Sequence, residues 1–403
     1  MTTDRRYFTL NNPERPAPKT ARQKSERIRR ILWIVAVLAA LLAVLCLIFP
    51  RLIDTDRVVR FFRYMGLRDQ EDYGHISFEG GAGNVYAGFD DGLLVGSEDG
   101  VALYSLEGEQ KALIQGSLPT PILCTGGDVS LVFSPGSAYA AAVGTGGTVL
   151  MDGALSGAFI NADISIDGCT AYITAETGYK SVATVLDSNF EPIYRFSSRT
   201  RYLNACAVSE KGKYLALARL EEENGVYRSG ITILPTDQPL EDLEQDGEGT
   251  VRLDLGNQVV YTLRFLDGTH LVAIAQNEIV FFNVNGERLA ALSTHTGQLA
   301  DYAFSSEGWM ILAMDQNGGG CRVLTLDAAG NTLGELDLTE RVRSVSAAED
   351  YAAILTGTSL QTLDRKLKVY DRSWDVLSAT RAIVRPDGTV LLVGSGGTKL
   401  FIP

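Results

Sequence analysis

From about residue 85 to the C-terminus, apolar residues come in short runs separated by clusters of Gly, Asp, Asn and Ser. The stretch "FSSEGWMILAMDQNGGGCRVLTLDAAGNTL" (304–333) shows the order: apolar run, acid-Gly turn, apolar run, Gly cluster, apolar run, small-residue turn. Runs of this length, bounded by turn residues and rich in Val, Ile, Leu and Ala, predict strands rather than helices. The same order recurs in "VSLVFSPGSAYAAAVGTGGTVLMD" from Val129, "ADISIDGCTAYITAETGYKSVATVLDSN" from Ala162 and "ACAVSEKGKYLALARLEEENGVYRSGITIL" from Ala205. It returns in "LRFLDGTHLVAIAQNEIVFFNVNGERL" from Leu263, "SAAEDYAAILTGTSLQTLDRKLKVYD" from Ser346 and "AIVRPDGTVLLVGSGGTKLFI" from Ala382, while "GLLVGSEDGVALYSLEGEQ" from Gly92 fits the second and third runs of a copy.

Placing the first turn of each copy at Gly92, Gly136, Gly168, Gly212, Gly268, Gly308, Asp350 and Gly388 gives intervals of 44, 32, 44, 56, 40, 42 and 38 residues. Repeats of about forty residues with several short strands and little helix predict four-stranded propeller blades. The fold class is therefore all-β, a β-propeller over 73–403, with eight blades the preferred count. Seven is the alternative, because the 32-residue interval leaves little room for an outer strand. The final copy ends at Pro403 before a fourth strand, and "YGHISFEG" (73–80) stands ready to supply it and close the ring. Asp-Gly at 167–168, 267–268 and 387–388, with Asn285-Gly286, suits hairpin turns at positive φ. "GTGGT" (144–148), "NGGGC" (317–321) and "GSGGT" (394–398) read as hairpin connections between second and third strands; none has the Lys-Ser/Thr ending and following helix of a phosphate cradle.

Residues 31–49, "ILWIVAVLAALLAVLCLIF", form an uncharged run that as a helix is about 28 Å long, close to the bilayer's hydrocarbon thickness. One transmembrane helix is expected. The run is too long for the apolar core of a cleaved signal, no small-residue cleavage site follows, and Leu45 before Cys46 argues against a lipoprotein. Residues 1–30 carry nine basic and three acidic side chains and read as a disordered tail. Arg22, Lys24, Arg27, Arg29 and Arg30 flank the span and outweigh Arg51, Arg57, Arg60 and Arg63 with their neighbouring acids Asp54 and Asp56, so the positive-inside rule places the tail in the cytoplasm. The propeller is then extracytoplasmic. Residues 50–72 include "DTDRVVRFFRYMGL", with Val58, Phe61, Phe62 and Met65 at helical spacing, as either an interfacial collar or a stalk.

The chain's net charge of -13 divides unevenly: from Arg51 onward 27 basic residues face 46 acidic ones. Such a balance disfavours nonspecific binding of nucleic acid or anionic lipid by the large domain. Within the 56-residue interval, "PTDQPLEDLEQDGEGT" (235–250) carries six acids. Asp242, Glu244, Asp246 and Gly247 sketch a calcium loop, but Leu253 stands where its bidentate Glu belongs and Asp254 is one residue late, so no metal site is assigned.

Catalytic signatures are absent from the sequence. His75, His270 and His295 stand far apart, there is no G-x-S-x-G elbow, and the acids fall mostly in turns. Cys124, Cys169, Cys206 and Cys321 form no CxxC pair and read as buried hydrophobes. Trp309, Trp374, Tyr73, Tyr139, Tyr214 and Tyr302 suit packing between blades, with a carbohydrate platform as the alternative. No catalytic residue and no cofactor is expected.

The basic tail, the single span, "RVVRFFRYMGL" and the degenerate strand repeats together resemble a family of uncharacterised bacterial membrane-anchored proteins, domain of unknown function 5711. The resemblance implies a propeller-like exterior domain at a bacterial surface and carries no established active residues. The turns are also similar to WD-type repeats, although the Gly-His and Trp-Asp markers are missing. The expected function is a noncatalytic recognition or scaffolding module at the outer face of the cytoplasmic membrane, with an envelope protein or glycan as partner and the bilayer held by residues 31–49. The alternative is a propeller enzyme acting on envelope glycans or another extracytoplasmic substrate.

Overall fold

The computed structural model describes residues 74–237, 250–295, 297–376 and 378–403, together with residues 33, 37, 59–60 and 62–65. The expected tail, span and juxtamembrane segment, and the calcium-like positions 242–247, lie outside the described residues apart from those isolated positions. Among the described residues no helix is long and apolar enough to cross a membrane. The chain divides into two units, Met1–Met65 and Gly66–Pro403. In the first, the Tyr64 N–H donates to the Arg60 carbonyl at 2.9 Å, one turn of helix. All strands below belong to the second.

Eight antiparallel sheets follow one another along the chain, seven with four strands and the last with three. They span 85–115, 122–154, 158–198, 202–256, 260–293, 297–338, 342–373 and 379–401 and are numbered here as blades one to eight. In blades one to seven the second and third strands are largely buried on both faces. In blade one, Leu94 on β2 (Gly92–Ser97) packs toward blade two, while Leu93 and Val95 on the same strand pack toward blade eight. That double burial is why these strands read as unbroken apolar runs. Outer strands such as β8 (Val149–Ala154) and β20 (Arg288–Ser293) have no fully buried position and mix half-buried with exposed residues. Eight apolar clusters result, one in each seam between neighbouring blades.

Eight blades are present, and the short 32-residue interval has a simple origin. In blade two the strand "VSLVF" is the second, β6 (Val129–Phe133), preceded by an inner strand β5 (Ile122–Gly126). The first turn is therefore Gly126-Gly127, with Gly127 at φ +51°, and Gly136 sits in the second turn. Position 126 must be Gly, since a Cβ there would lie 2.0 Å from the Ser165 carbonyl oxygen of blade three. "GTGGT" accordingly joins third and fourth strands, whereas "NGGGC" and "GSGGT" join second and third as expected. The 56-residue interval reflects the ten-residue strands β14 (Tyr214–Glu223) and β15 (Val226–Pro235) and the segment after them. Of the Asp-Gly turns, Gly168 and Gly388 take positive φ but Gly268 does not. There the Asp267 carboxylate accepts the N–H groups of Thr269 and His270 at 2.7 and 2.8 Å and shapes the turn itself.

The ring closes at the segment the sequence pointed to, although that segment contributes a single bridge and not the expected fourth strand. Ser77 pairs with Gly397 in an antiparallel bridge against β31 (Gly397–Phe401) of blade eight. The Thr398 N–H donates to the Ile76 carbonyl at 3.0 Å, the Ile76 N–H donates to Thr398 Oγ1 at 3.0 Å, and Thr398 Oγ1 donates to the Gly74 carbonyl at 2.8 Å. Ile76 is fully buried with Leu93, Val95, Leu106, Leu391 and Val393 between blades eight and one. A second clasp joins these blades at their first turns, where Arg385, 3% exposed, donates to the Asp91 carboxylate at 3.2 Å.

Candidate functional site

The inner strands place polar side chains around the ring axis, and these side chains bond to the backbone of the following blade. On β9 (Ala158–Ile164) of blade three, Asn161 Oδ1 accepts the Cys206 N–H at 3.0 Å and Asp163 Oδ2 accepts the Val208 N–H at 3.1 Å. Cys206 and Val208 lie on β13 (Tyr202–Val208) of blade four, whose Asn204 donates to the Val260 carbonyl of blade five at 2.6 Å. Arg264 on β17 (Val260–Phe265) then reaches back two blades to Asp163 Oδ1 at 2.5 Å.

The same arrangement occurs a second time. Asp301 on β21 (Gly297–Phe304) of blade six accepts the Val345 N–H of β25 (Val342–Ala348) at 2.8 Å. Arg381 on β29 (Ala379–Val384) of blade eight approaches the same Asp301 carboxylate at 3.5 Å. Each unit is an acid, a backbone N–H one blade on, and an arginine two blades on. The two differ in burial: the Arg264 side chain is 16% exposed and the Arg381 side chain 56%. Burial pushes the Asp301 carboxyl above its ordinary value of 3.8, with the Val345 N–H and Arg381 pulling the other way.

These inner strands enclose an axial cavity of about 710 Å³ at the first-turn end of the ring. Its wall includes Arg264, Arg381 and Arg385 beside small residues such as Gly88, Ala303 and Ala347. A hollow of about 850 Å³ lies instead along β31, where blade eight lacks a full fourth strand. We take the axial cavity as the candidate site despite its smaller volume, because it gathers side chains from many blades, whereas the other hollow follows from one incomplete sheet.

The residues singled out by sequence disperse. His75 Nδ1 meets the Thr398 carbonyl at 2.9 Å in the closing segment, His270 pairs with Asp267 at 2.8 Å, and His295 lies between blades five and six. Among the described residues Cys124, Cys169, Cys206 and Cys321 are free thiols, with Cys169, Cys206 and Cys321 buried. Burial pushes the Cys124 thiol up to about 12 and the Cys169 and Cys321 thiols up to about 11; Cys206 also lies well above its usual 9.0. Trp309 packs between blades six and seven and its indole N–H donates to the Glu349 carbonyl at 2.7 Å. Tyr139, Tyr214 and Tyr302 pack against seam clusters, but Trp374 does not: it is 65% exposed, with the Arg372 guanidinium 5.6 Å from its ring. Tyr73 lies outside the described residues. Asp254, the misplaced calcium-loop acid, instead accepts Arg228 at 2.9 Å and the Gly256 N–H at 2.8 Å. Among the described residues no group of three or more His, Cys, Asp or Glu side chains gathers closely enough to hold a metal ion.

Two solved structures are similar to this chain. The C-terminal WD40 domain of Sif2 aligns with a TM-score of 0.53 at 10% identity, over 81% of this chain and 97% of that one. The β-propeller domain of Cps50 (Swd1) from Myceliophteria thermophila aligns with a TM-score of 0.48 at 12% identity, over 70% and 95% of the two chains. No curated protein sequence matches. Residues 70–372, covering the closing segment and all blades but the last, match the family of unknown function DUF5711, and the chain belongs to that family.

Proposed function

We propose that this chain is a membrane-anchored recognition or scaffolding module, held by residues 31–49 with its N-terminus in the cytoplasm and its propeller at the outer face of a bacterial cytoplasmic membrane. The observation that carries the recognition role is the axial cavity, whose wall residues Val345 and Arg264 are fixed by bonds to Asp301 and Asp163 of other inner strands. A wall held in this way presents its polar groups with little ordering left to do on binding. The small side chains leave space, and Arg381, more than half exposed, presents a planar guanidinium toward a partner's acidic or carbonyl groups. The apolar run and the asymmetry of flanking basic residues support the anchor and its orientation.

The test is site-specific photo-crosslinking of the full chain in cells. A photoreactive residue at exposed Ser306, on the cavity rim, is expected to capture a reproducible envelope partner, whereas the same residue at Val149, on an outer strand, is expected to capture none. Equal capture at both positions, or none at Ser306 under several growth conditions, removes the axial cavity as the recognition site.

A further inference from the structure

The first strand of each blade is paired on one side only, so its other edge faces the ring axis. In β1 (Val85–Phe89) the two-residue turn at Asp90 and Asp91, both at positive φ, makes Phe89 and Gly92 the hydrogen-bonded pair that closes the hairpin. Alternation along an antiparallel ladder then turns the N–H and C=O of Gly88 and Tyr86, one and three residues back, away from β2 and toward the axis. The same count on other blades picks out the N–H groups of Val208, Val345, Ala382 and Val384. There a side chain of the preceding blade accepts each one. Asp163 serves Val208 and Asp301 serves Val345, while Ser344 and Ser346 serve Ala382 and Val384 at 3.2 and 2.6 Å.

Blade one lacks that cap. Ser346 and Ser344 stand two and four residues before Ala348, which closes the first turn of blade seven, and the matching positions before Arg385 in blade eight are Ile383 and Arg381. A guanidinium has no acceptor and an isoleucine side chain has no polar atom, so neither can receive the Tyr86 or Gly88 N–H. Gly88 is exposed, and in a glycine that exposure is backbone. It lies against Ile383, since a Cβ at position 88 would stand 3.2 Å from Ile383 Cγ2, and both residues line the axial cavity. Val85 and Ala87 offer no acceptor to blade two either, so the space beside β1 stays open.

The geometry of this edge selects its occupant. Free N–H groups two residues apart on a strand are roughly 7 Å apart, which is the spacing of carbonyls along one edge of another extended chain. Arg381 adds a charge preference. Its side chain is more than half exposed and only 3.5 Å from Asp301 Oδ2, an oxygen that already accepts the Val345 N–H at 2.8 Å, so the guanidinium has donors to spare for a second carboxylate.

We propose that an extended peptide segment of a partner protein enters the axial cavity, pairs its main chain with the free edge of β1 at Tyr86 and Gly88, and sets an acidic side chain against Arg381. This occupant presupposes the axial recognition role and supplies the chemistry that the cavity reads.

The test is residue-resolved hydrogen exchange of the purified full chain, alone and with octapeptides selected against it from a random display library. Alone, the Tyr86 and Gly88 amides are expected to exchange about tenfold faster than those of Val208 and Val345, after correction for intrinsic rates. With the tightest octapeptide they are expected to slow by about tenfold while Val208 and Val345 do not change. N-methylation of that octapeptide, one amide at a time, is expected to weaken binding about tenfold at alternate positions only, the signature of an edge that bonds every second residue. Exchanging its acidic residue for the amide is expected to cost about fivefold in affinity for wild type and nothing for Arg381→Gln. Slow exchange at Gly88 in the free chain, or selected octapeptides that leave its rate unchanged, overturns the proposal and assigns the edge to water. A partner captured through Ser306 that leaves Gly88 exchange unchanged overturns the strand pairing alone, and the recognition role stands.

Discussion

Asp163→Ala is the sharpest perturbation of the inner ring. Asp163 is 6% exposed and its two oxygens serve Arg264 at 2.5 Å and the Val208 N–H at 3.1 Å. Removing it strands a guanidinium that is only 16% exposed, although one donor still reaches the Ile164 carbonyl, and it also orphans an inner-strand N–H. Breaking a buried pair from one side costs about 3–5 kcal/mol. The related substitution Asp301→Ala leaves Arg381 half in solvent and mainly removes the Val345 bond, a loss of about 1–2 kcal/mol. Urea unfolding of the full chain reads both as shifts in midpoint at constant slope. Arg264→Met in the Asp163→Ala background is expected to restore about half of the loss, because the unpaired charge goes while the orphaned Val208 N–H stays. Equal losses for the two alanine variants, or no restoration by Arg264→Met, would show that the difference in burial between the two units does not govern their energetics.

Three further outcomes follow from other parts of the molecule. Ile76→Ala deletes a fully buried side chain from the closing seam and is expected to cost about 2–5 kcal/mol by the same urea assay. Asp267 is held below 3.8 because, against desolvation by burial, the Thr269 and His270 N–H groups and the His270 ring favour its charged form. A depressed carboxyl contributes stability that is present above 3.8 and lost as pH falls below it, so Asp267→Asn is expected to flatten the acid limb of a stability profile in that range. Mapped alkylation at pH 8 is expected to leave Cys124, Cys169, Cys206 and Cys321 unmodified in the native protein and to label all four in urea, since burial raises every one of these thiols.

The propeller was legible because its physics is local. Strands buried on both faces leave continuous apolar runs, and tight hairpins need Gly or Asp at left-handed positions, as at Asp90 and Asp91 in blade one and Gly388 in blade eight. The register of blade two was not legible: "SPGS" resembles a first turn as closely as Gly126-Gly127 does, and only pairing with β5 separates them. The axial groups were invisible for a different reason. Asp163 and Arg264 are 101 residues apart and meet only because two intervening seams close the angle between their blades. A signal existed in the first strands of the copies, where an acid in "NADISIDG" and in "LADYAFSSEG" precedes an arginine in "YTLRFLDG" and in "ATRAIVRPDG" two copies later. Polar residues on a strand read equally well as its solvent face, so that pattern acquires meaning only once the strands are known to surround an axis.

Amide exchange at Thr398 tests ring closure without altering a residue. Its N–H points away from blade eight to the Ile76 carbonyl at 3.0 Å, so its protection depends on the segment that precedes blade one. In a closed eight-bladed ring it exchanges as slowly as the buried amides of β30 (Val390–Gly394) beside it. Exchange at the rate of an open loop, with β30 still protected, would mean that the ring stands open between blades eight and one.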